Sequence, residues 1–185
     1  MQISIVQAEQ SDLPQFFVYL ENQLAENGVD GTPLFQPLSR TNRAIPTQTQ
    51  QKFIDGVSVE FSDVAWRQLW LAKDVQGKIC GHIDLRHHME DYCSHRVWLG
   101  MGVERECRKM GLGSRLIQTV IEFCQRNEQI VWLDLNVLSV NLAAKNLYLK
   151  HGFRIVGEMT DYYRVDDESI SELTMSINTE AELYH

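Results

Sequence analysis

No apolar run in this sequence approaches the roughly 20 residues that a membrane-spanning helix requires, so no membrane partner is expected. Met1–Gln10 alternates apolar and polar residues where an export signal would show a basic flank and a long apolar stretch. That pattern points to a soluble, cytoplasmic protein. Cysteine is sparse: Cys80, Cys93, Cys107 and Cys124 stand far apart, in neither metal-ligand nor redox spacing, which fits reduced thiols. Positive charge is scarce as well. With 17 Lys and Arg against 25 Asp and Glu, the formal net charge is −8 and no basic stripe offsets it, which excludes general nucleic-acid binding. No linker rich in Pro, Gly or Ser divides the 185 residues, and no repeat or low-complexity tract is present, so one domain over residues 1–185 is expected. His82, His87, His88 and His95 with Cys93 fall in no recognised ligand spacing, and adjacent His87 and His88 on a strand point to opposite sides, so no metal is expected.

What is present is a succession of short strands and amphipathic helices. Ile3–Ala8 alternates as a strand, and Ser11-Asp12 before Leu13-Pro14 marks the start of a helix over Leu13–Asn27 that shows Phe16, Phe17, Leu20 and Leu24 on one side. Residues 28–46 are rich in Gly, Pro, Thr, Asn and Gln and read as a loop, long enough to suggest a lid or binding segment; a short helix follows at Gln48–Gly56. Arg67–Lys73 and Ile79–Arg86 flank the hairpin-like Asp74-Val75-Gln76-Gly77. Val97–Val103 is the next strand, and its Gly100 and Gly102 suggest a bulge or a place where a ligand meets the backbone. Leu116, Ile117, Val120, Ile121 and Cys124 recur at helical spacing over Ser114–Arg126. Ile130–Val137 is a β-branched strand, Asn141–Lys150 a helix closed by His151-Gly152, and Phe153–Glu158 and Leu173–Ile177 the last strands, separated by the polar segment Asp161–Ser171.

Between the strand at Val97–Val103 and the helix after it stands Arg108-Lys109-Met110-Gly111-Leu112-Gly113. Glycines let a backbone turn tightly and approach a ligand, and the first N–H groups of a helix lack intrahelical partners, so the turn suits a phosphate. Arg105, Arg108, Lys109 and Arg115 make it a basic island in an acidic chain. A Walker loop would need Lys directly after its last Gly, where Gly113 is followed by Ser114-Arg115. A dinucleotide fingerprint would need a small residue in place of Leu116. Arg-x-x-Gly-x-Gly remains, followed downstream by Asn141-x-x-Ala144-x-x-Leu147-Tyr148-x-x-x-Gly152-Phe153.

That pair of motifs, in that order, resembles the GCN5-related N-acetyltransferase (GNAT) superfamily, specifically over Val97–Glu158 and only in element order over the N-terminal half. The resemblance implies an α/β (α+β) fold: a mixed, mostly antiparallel sheet of six or seven strands flanked by about four helices, with two parallel central strands, here Val97–Val103 and Ile130–Val137, splayed to admit acyl-CoA. It implies acetyl-CoA as co-substrate and an acyl-CoA-binding core at about residues 67–158. Backbone groups around Met101, Gly102 and Val103 would pair with the pantetheine arm. N–H groups of Lys109, Met110, Gly111, Leu112, Gly113 and Ser114 would hold the pyrophosphate, with charge from Arg108 and Lys109, and Asn141 would touch the CoA arm.

In this family an amine attacks the thioester directly, so a proton must reach the departing thiolate and another must leave the amine. The resemblance puts Tyr148 at the thioester sulfur as general acid. The base is open among Asp84, His82 and His95, with Asp84 the choice carried forward. Branches that acetylate ribosomal-protein N-termini carry Glu in the middle of a Leu-x-Val strand end; here Leu135-Asn136-Val137 has an amide that cannot act as a base. A small-molecule amine is therefore favoured over a protein N-terminus or lysine, and a non-catalytic acyl-CoA sensor is the alternative from another class. The loop at about residues 28–50, with Phe35, Gln36 and Pro37, would shape the acceptor site, and Tyr162-Tyr163 is a further lining candidate. An edge strand or the segment Asn178–His185 could pair two subunits as a homodimer.

Overall fold

The computed structural model describes residues 2–41 and 44–180, so the last five residues of the segment considered for dimer pairing lie outside the described residues. Seven strands form one sheet: β1 (Ile3–Gln7), β2 (Arg67–Asp74), β3 (Ile79–His87), β4 (Arg96–Val103), β5 (Trp132–Leu138), β6 (Arg154–Val165) and β7 (Glu168–Asn178). Their order is β1-β2-β3-β4-β5-β7-β6, and every neighbouring pair is antiparallel except β4 and β5. Four α-helices flank it: α1 (Leu13–Ala25), α2 (Thr47–Gly56), α3 (Leu112–Arg126) and α4 (Leu142–Lys150). No helix among the described residues is long and apolar enough to cross a membrane.

The parallel pair is the feature that positions the site. β4 and β5 meet only over Arg96–Trp98 and Trp132–Asp134, where the His95 carbonyl also accepts the Val131 and Trp132 N–H groups. Beyond Trp98 each strand follows its other neighbour: β3 pairs β4 as far as Val103, and β7 pairs β5 as far as Leu138. The two strands thus open as a V with its closed end at Trp98.

The faces of the sheet have different chemistry. On one, α3 buries Leu112, Leu116, Ile117, Val120 and Cys124 against Ile83, Leu85, Leu99, Leu133 and Leu135, each such side chain stabilising the fold by about 1.5–3 kcal/mol. On the other, α1 and α2 pack Phe16 and Phe53 over Leu69 and Leu71. Of the expected stripe on α1, Phe16 is fully buried and Phe17 and Leu20 pack partly buried against the same cluster, while the deepest positions also include Leu13, Tyr19 and Gln23. Tyr19 and Gln23 can be buried because each meets a polar partner: Tyr19 the His82 ring at 3.2 Å, and Gln23 the Glu104 carboxylate at 3.4 Å.

Two expectations are corrected. Gly100 and Gly102 mark no bulge, since β3 and β4 stay in unbroken register. They make room instead: a Cβ on Gly100 would stand 2.7 Å from Asp84 Oδ1, and one on Gly102 2.9 Å from His82 Cε1. The polar segment Asp161–Ser171 is not a break between strands but the arms and turn of a hairpin, with Asp166 and Asp167 in the left-handed conformation at its tip. Most of β6 is solvent-exposed, so pairing with β7 satisfies its backbone without any apolar alternation in the sequence.

Candidate active site

At the mouth of the V, backbone groups and side chains converge from four elements. The Glu104 N–H bonds the Cys80 carbonyl at 2.9 Å, opposite the end of β3. Antiparallel alternation then turns the peptide groups of Gly100 and Gly102 toward β3 and those of Leu99, Met101 and Val103 toward the gap beside β5. Past the last pair, Trp98 with Asp134, the groups of Met101 and Val103 have no strand partner on β5, the Val103 carbonyl accepting instead from the Arg108 guanidinium. They form an open edge inside the sheet, able to pair an extended ligand as an added strand would.

The turn below that edge leaves its own donors free. Lys109 and Gly111 take left-handed conformations at φ 61° and 78°. Among the described residues, the N–H groups of Lys109, Met110, Gly111, Leu112, Gly113 and Ser114 make no hydrogen bond; the first backbone bond of α3 runs from Arg115 to the Gly111 carbonyl. An anion seated there meets a nest of N–H groups and the positive end of a helix of 15 residues. Gly113 packs close to α4, where an added Cβ would lie 2.8 Å from Leu147 Cδ2 and 3.7 Å from Met101 Cε.

The charged side chains divide their work. Lys109 is exposed at the turn, whereas the Arg108 guanidinium donates from Nε to the Val103 carbonyl at 2.9 Å and pairs with Glu26 of α1 at 3.0 Å. Arg108 therefore fixes the end of β4 against α1. Leu112 is buried and Met110 is exposed. Asn141 caps α4, its side-chain oxygen accepting the Ala144 N–H at 3.3 Å.

Tyr148 is buried in the core cluster that also holds Leu99 of β4 and Leu135 and Val137 of β5. The ring rests against Phe153 at 5.7 Å. Burial pushes the phenol well above its ordinary pKa, and the hydroxyl makes no hydrogen bond among the described residues.

Asp84 stands on the opposite face, 3% exposed, with Oδ2 against Arg67 Nη1 at 3.5 Å and Arg86 Nη1 at 3.3 Å. Its Oδ1 leans over Gly100, in the middle of the V. His82 lies deeper, under α1; burial lowers its pKa to about 4, so the ring is neutral near pH 7. His95 is exposed at the closed end. Of the three residues considered as base, Asp84 lies over Gly100 and the neutral His82 over Gly102, both on the strand segment that borders the open gap, while His95 stands at its closed end.

The buried neutral ring of His82 carries a stability prediction. Its folded-state pKa lies below the unfolded value of about 6.5, so the unfolded chain binds the extra proton first as pH falls. The associated stability is complete above about pH 6.5 and declines toward pH 4, by up to about 3 kcal/mol. Urea midpoints at pH 7 and pH 4.5 should fall further for the wild type than for His82→Gln.

The loop expected to shape the acceptor site is ordered by Asn27, which is fully buried, accepts the Phe35 and Gln36 N–H groups and donates to the Gln36 and Leu38 carbonyls. Leu34 then packs with Leu138, Val165 and Ile170, and Arg40 pairs with Asp166 and Glu168. These contacts strap the loop to the β6–β7 hairpin at the open end of β5. Sequence reading missed this strap and also missed Gln23 and Glu104; the signal for the first was Asp166-Asp167 with Glu168, an acidic turn opposite an isolated Arg40. Tyr162 and Tyr163 stack edge to face on the hairpin, and Tyr163 donates to Glu172.

Residues 65–155 match the family described as the acetyltransferase (GNAT) domain. Among curated relatives, the chain is 28% identical over 102 residues to N-alpha-acetyltransferase 20 of Dictyostelium discoideum, and 26% identical over 102 residues to the L-amino acid N-acetyltransferase AaaT of Escherichia coli. Each match covers 55% of this chain, and 59% and 63% of the two relatives. The fold is shared with a GNAT-family acetyltransferase from Streptococcus pneumoniae, at a TM-score of 0.78 and 23% identity over 96% of this chain and 99% of that one. It is shared also with yncA of Salmonella typhimurium, solved with its cofactor acetyl-CoA, at 0.76 and 14% identity over 97% and 95%.

Proposed function

Because the chain belongs to the GCN5-related N-acetyltransferase (GNAT) superfamily, we propose that it transfers an acetyl group from acetyl-CoA to the primary amine of a small molecule, by direct attack in a ternary complex. The observation that carries this reading is the V between β4 and β5, edged by unpaired strand groups and ending on free N–H groups at α3. The pyrophosphate sits on the turn Lys109–Ser114, the pantetheine arm pairs along Met101–Val103, and the thioester lies between the arms of the V.

The two faces of the sheet then supply opposite halves of the chemistry. The acceptor approaches on the Asp84 face as an ammonium and loses a first proton through water to Asp84; a second leaves the nitrogen to water once the C–N bond has formed, and Asp84 then returns its proton to solvent. The nitrogen lone pair attacks the carbonyl carbon, and inward-facing N–H groups of β4 stabilise the oxygen as charge develops. The C–S bond breaks, the electron pair stays on sulfur, and the Tyr148 hydroxyl on the other face gives its proton to the thiolate. Solvent returns a proton to the phenolate before the next turnover.

A small acceptor is favoured by the strap. A polypeptide would need a passage between the loop at residues 28–46 and the β6–β7 hairpin, and Arg40, Leu34 and their partners join those two elements. Asn136, exposed on this face and taking a hydrogen bond from Thr174, adds to the argument, since it offers no base for a peptide N-terminus.

The test is incubation with acetyl-CoA and a panel of amines comprising amino acids, polyamines, aminoglycosides and peptides, with acetylated product and free CoA quantified by chromatography. Sustained turnover on at least one small amine and none on peptides is the expected result. Turnover on peptides alone would overturn the small-molecule acceptor, and acetyl-CoA binding without turnover on any amine would overturn the enzyme reading.

A further inference from the structure

The turn between β3 and β4 carries a cluster that acyl transfer does not use. His88, Glu90 and Cys93 each offer one ligand atom, and these atoms lie within 4.8 Å of one another. His88 and Glu90 line an open cavity of about 510 Å³, together with Phe61, His87 and Gln129.

The imidazole of His88 is held as a metal-ligating histidine is held. Its Nε2 lies 3.0 Å from Asp134 Oδ2, and its ring stacks on Trp98 at 4.4 Å and 25°. Asp134 is 3% exposed and is itself fixed by the Arg96 guanidinium and the Ser176 hydroxyl. A carboxylate only accepts, so Nε2 donates to Asp134 and Nδ1 is the nitrogen left free to ligate. It faces Glu90 Oε2 at 3.7 Å, with the Cys93 sulfur beside them. Carboxylate–imidazole pairing of this kind orients a ligating nitrogen, and a metal ion bound there takes the place of any proton on Nδ1.

We propose that His88 Nδ1, a Glu90 carboxylate oxygen and Cys93 Sγ bind one divalent transition-metal ion, with water as fourth ligand. Mixed nitrogen, oxygen and sulfur donors suit Zn²⁺ better than the hard cations, which prefer oxygen. The Cys93 thiol gives its proton to solvent and binds as thiolate, exchanging its contact with the Glu90 carbonyl, now 2.8 Å, for the metal. Zinc–ligand distances of about 2.0–2.3 Å put tetrahedral ligands roughly 3.3–3.8 Å apart. Rotation of the exposed Glu90 side chain covers the difference from the present spacing.

The location gives the ion a structural role. His88 stacks on Trp98 of β4 and reaches through Asp134 to β5, where the V closes. A bound ion fastens the β3–β4 turn to that closed end while the reacting end stays open.

The experiment uses tag-free protein stripped with a chelator and dialysed, with Zn²⁺ titrated in competition with a chromogenic chelator. One ion per chain is expected, with a melting temperature raised by about 5–10 °C at a hundredfold excess over Kd. Co²⁺ in its place should give a thiolate-to-metal absorption band in the near ultraviolet, absent from Cys93→Ser. Both Cys93→Ser and Glu90→Gln should weaken Zn²⁺ binding at least tenfold, their metal-free melting temperatures serving as the check on folding. Because Cys80, Cys107 and Cys124 are buried, a thiol reagent applied to native protein reads Cys93, and Zn²⁺ should slow that reaction. Failure of wild-type protein to compete for Zn²⁺, a Co²⁺ complex without the thiolate band, or Cys93→Ser binding as tightly as wild type would each overturn the proposal.

Discussion

Tyr148→Phe should lower kcat by about 10²- to 10³-fold while leaving the KM for acetyl-CoA within roughly a factor of two, the range that loss of one positioned general acid produces. The split follows from where the residue lies. Its ring packs in the core beside Phe153, and phenylalanine keeps that packing, so neither the V nor the turn Lys109–Ser114 should shift. Only the hydroxyl is lost. Burial raises the phenol pKa, which keeps the group protonated at every working pH and also makes it a weaker acid. The thiolate leaves into the same enclosed space, and burial raises its proton affinity too, so the two groups stay closer in strength than they would be in water. A pre-steady-state burst of acetylated amine in the variant would contradict the assignment, because it would put the slow step after C–S cleavage. Equal kcat in the two proteins would remove Tyr148 from the chemistry altogether.

What could be read from the sequence, and what could not, follows the range of the forces involved. The turn Arg108–Gly113 and the α4 motif were legible because local backbone demands dictate residue type: a left-handed Gly111, a close approach at Gly113, and a left-handed Gly152 closing α4. α3 was legible because one face packs on the sheet and the other meets solvent. The apolar part of the inner face of α1, Phe16 with Phe17 and Leu20, was legible, whereas Tyr19 and Gln23 were missed because they are buried by long-range partners, His82 and Glu104, that no local pattern announces. The same holds for Gly100 and Gly102. Their absence of side chains looked like a statement about β4, yet it is a statement about Asp84 and His82 on the neighbouring strand. Arg108 is a related case: basic residues near a phosphate turn invite one explanation, and the coordinates show this one joining Val103 to Glu26. The strands at Phe153–Glu158 and Leu173–Ile177 were legible, but their extension through Asp161–Ser171 into one hairpin was not, because that part of β6 is exposed and has no apolar period to detect.

Gly113→Trp should weaken CoA binding by about 10²- to 10⁴-fold, with Gly113→Ala producing a loss nearer tenfold. The graded pair separates two consequences of one contact. A methyl group at this position meets only the far end of Leu147, which can turn away, so alanine strains the α3–α4 contact without dismantling it. An indole must occupy space between Leu147 and Met101, which lies beside the strand edge that would bind the pantetheine arm. It therefore both blocks the arm and displaces N–H groups of the nest. Charge-assisted hydrogen bonds contribute about 1.5–3 kcal/mol each, and losing two of them accounts for the upper part of the range. Titration calorimetry with CoA itself, independent of any acceptor, measures the effect, and the melting temperature of the ligand-free variants shows whether the fold survives. If the tryptophan variant melts near the wild type and still binds CoA with unchanged affinity, the turn Lys109–Ser114 is not where the pyrophosphate sits.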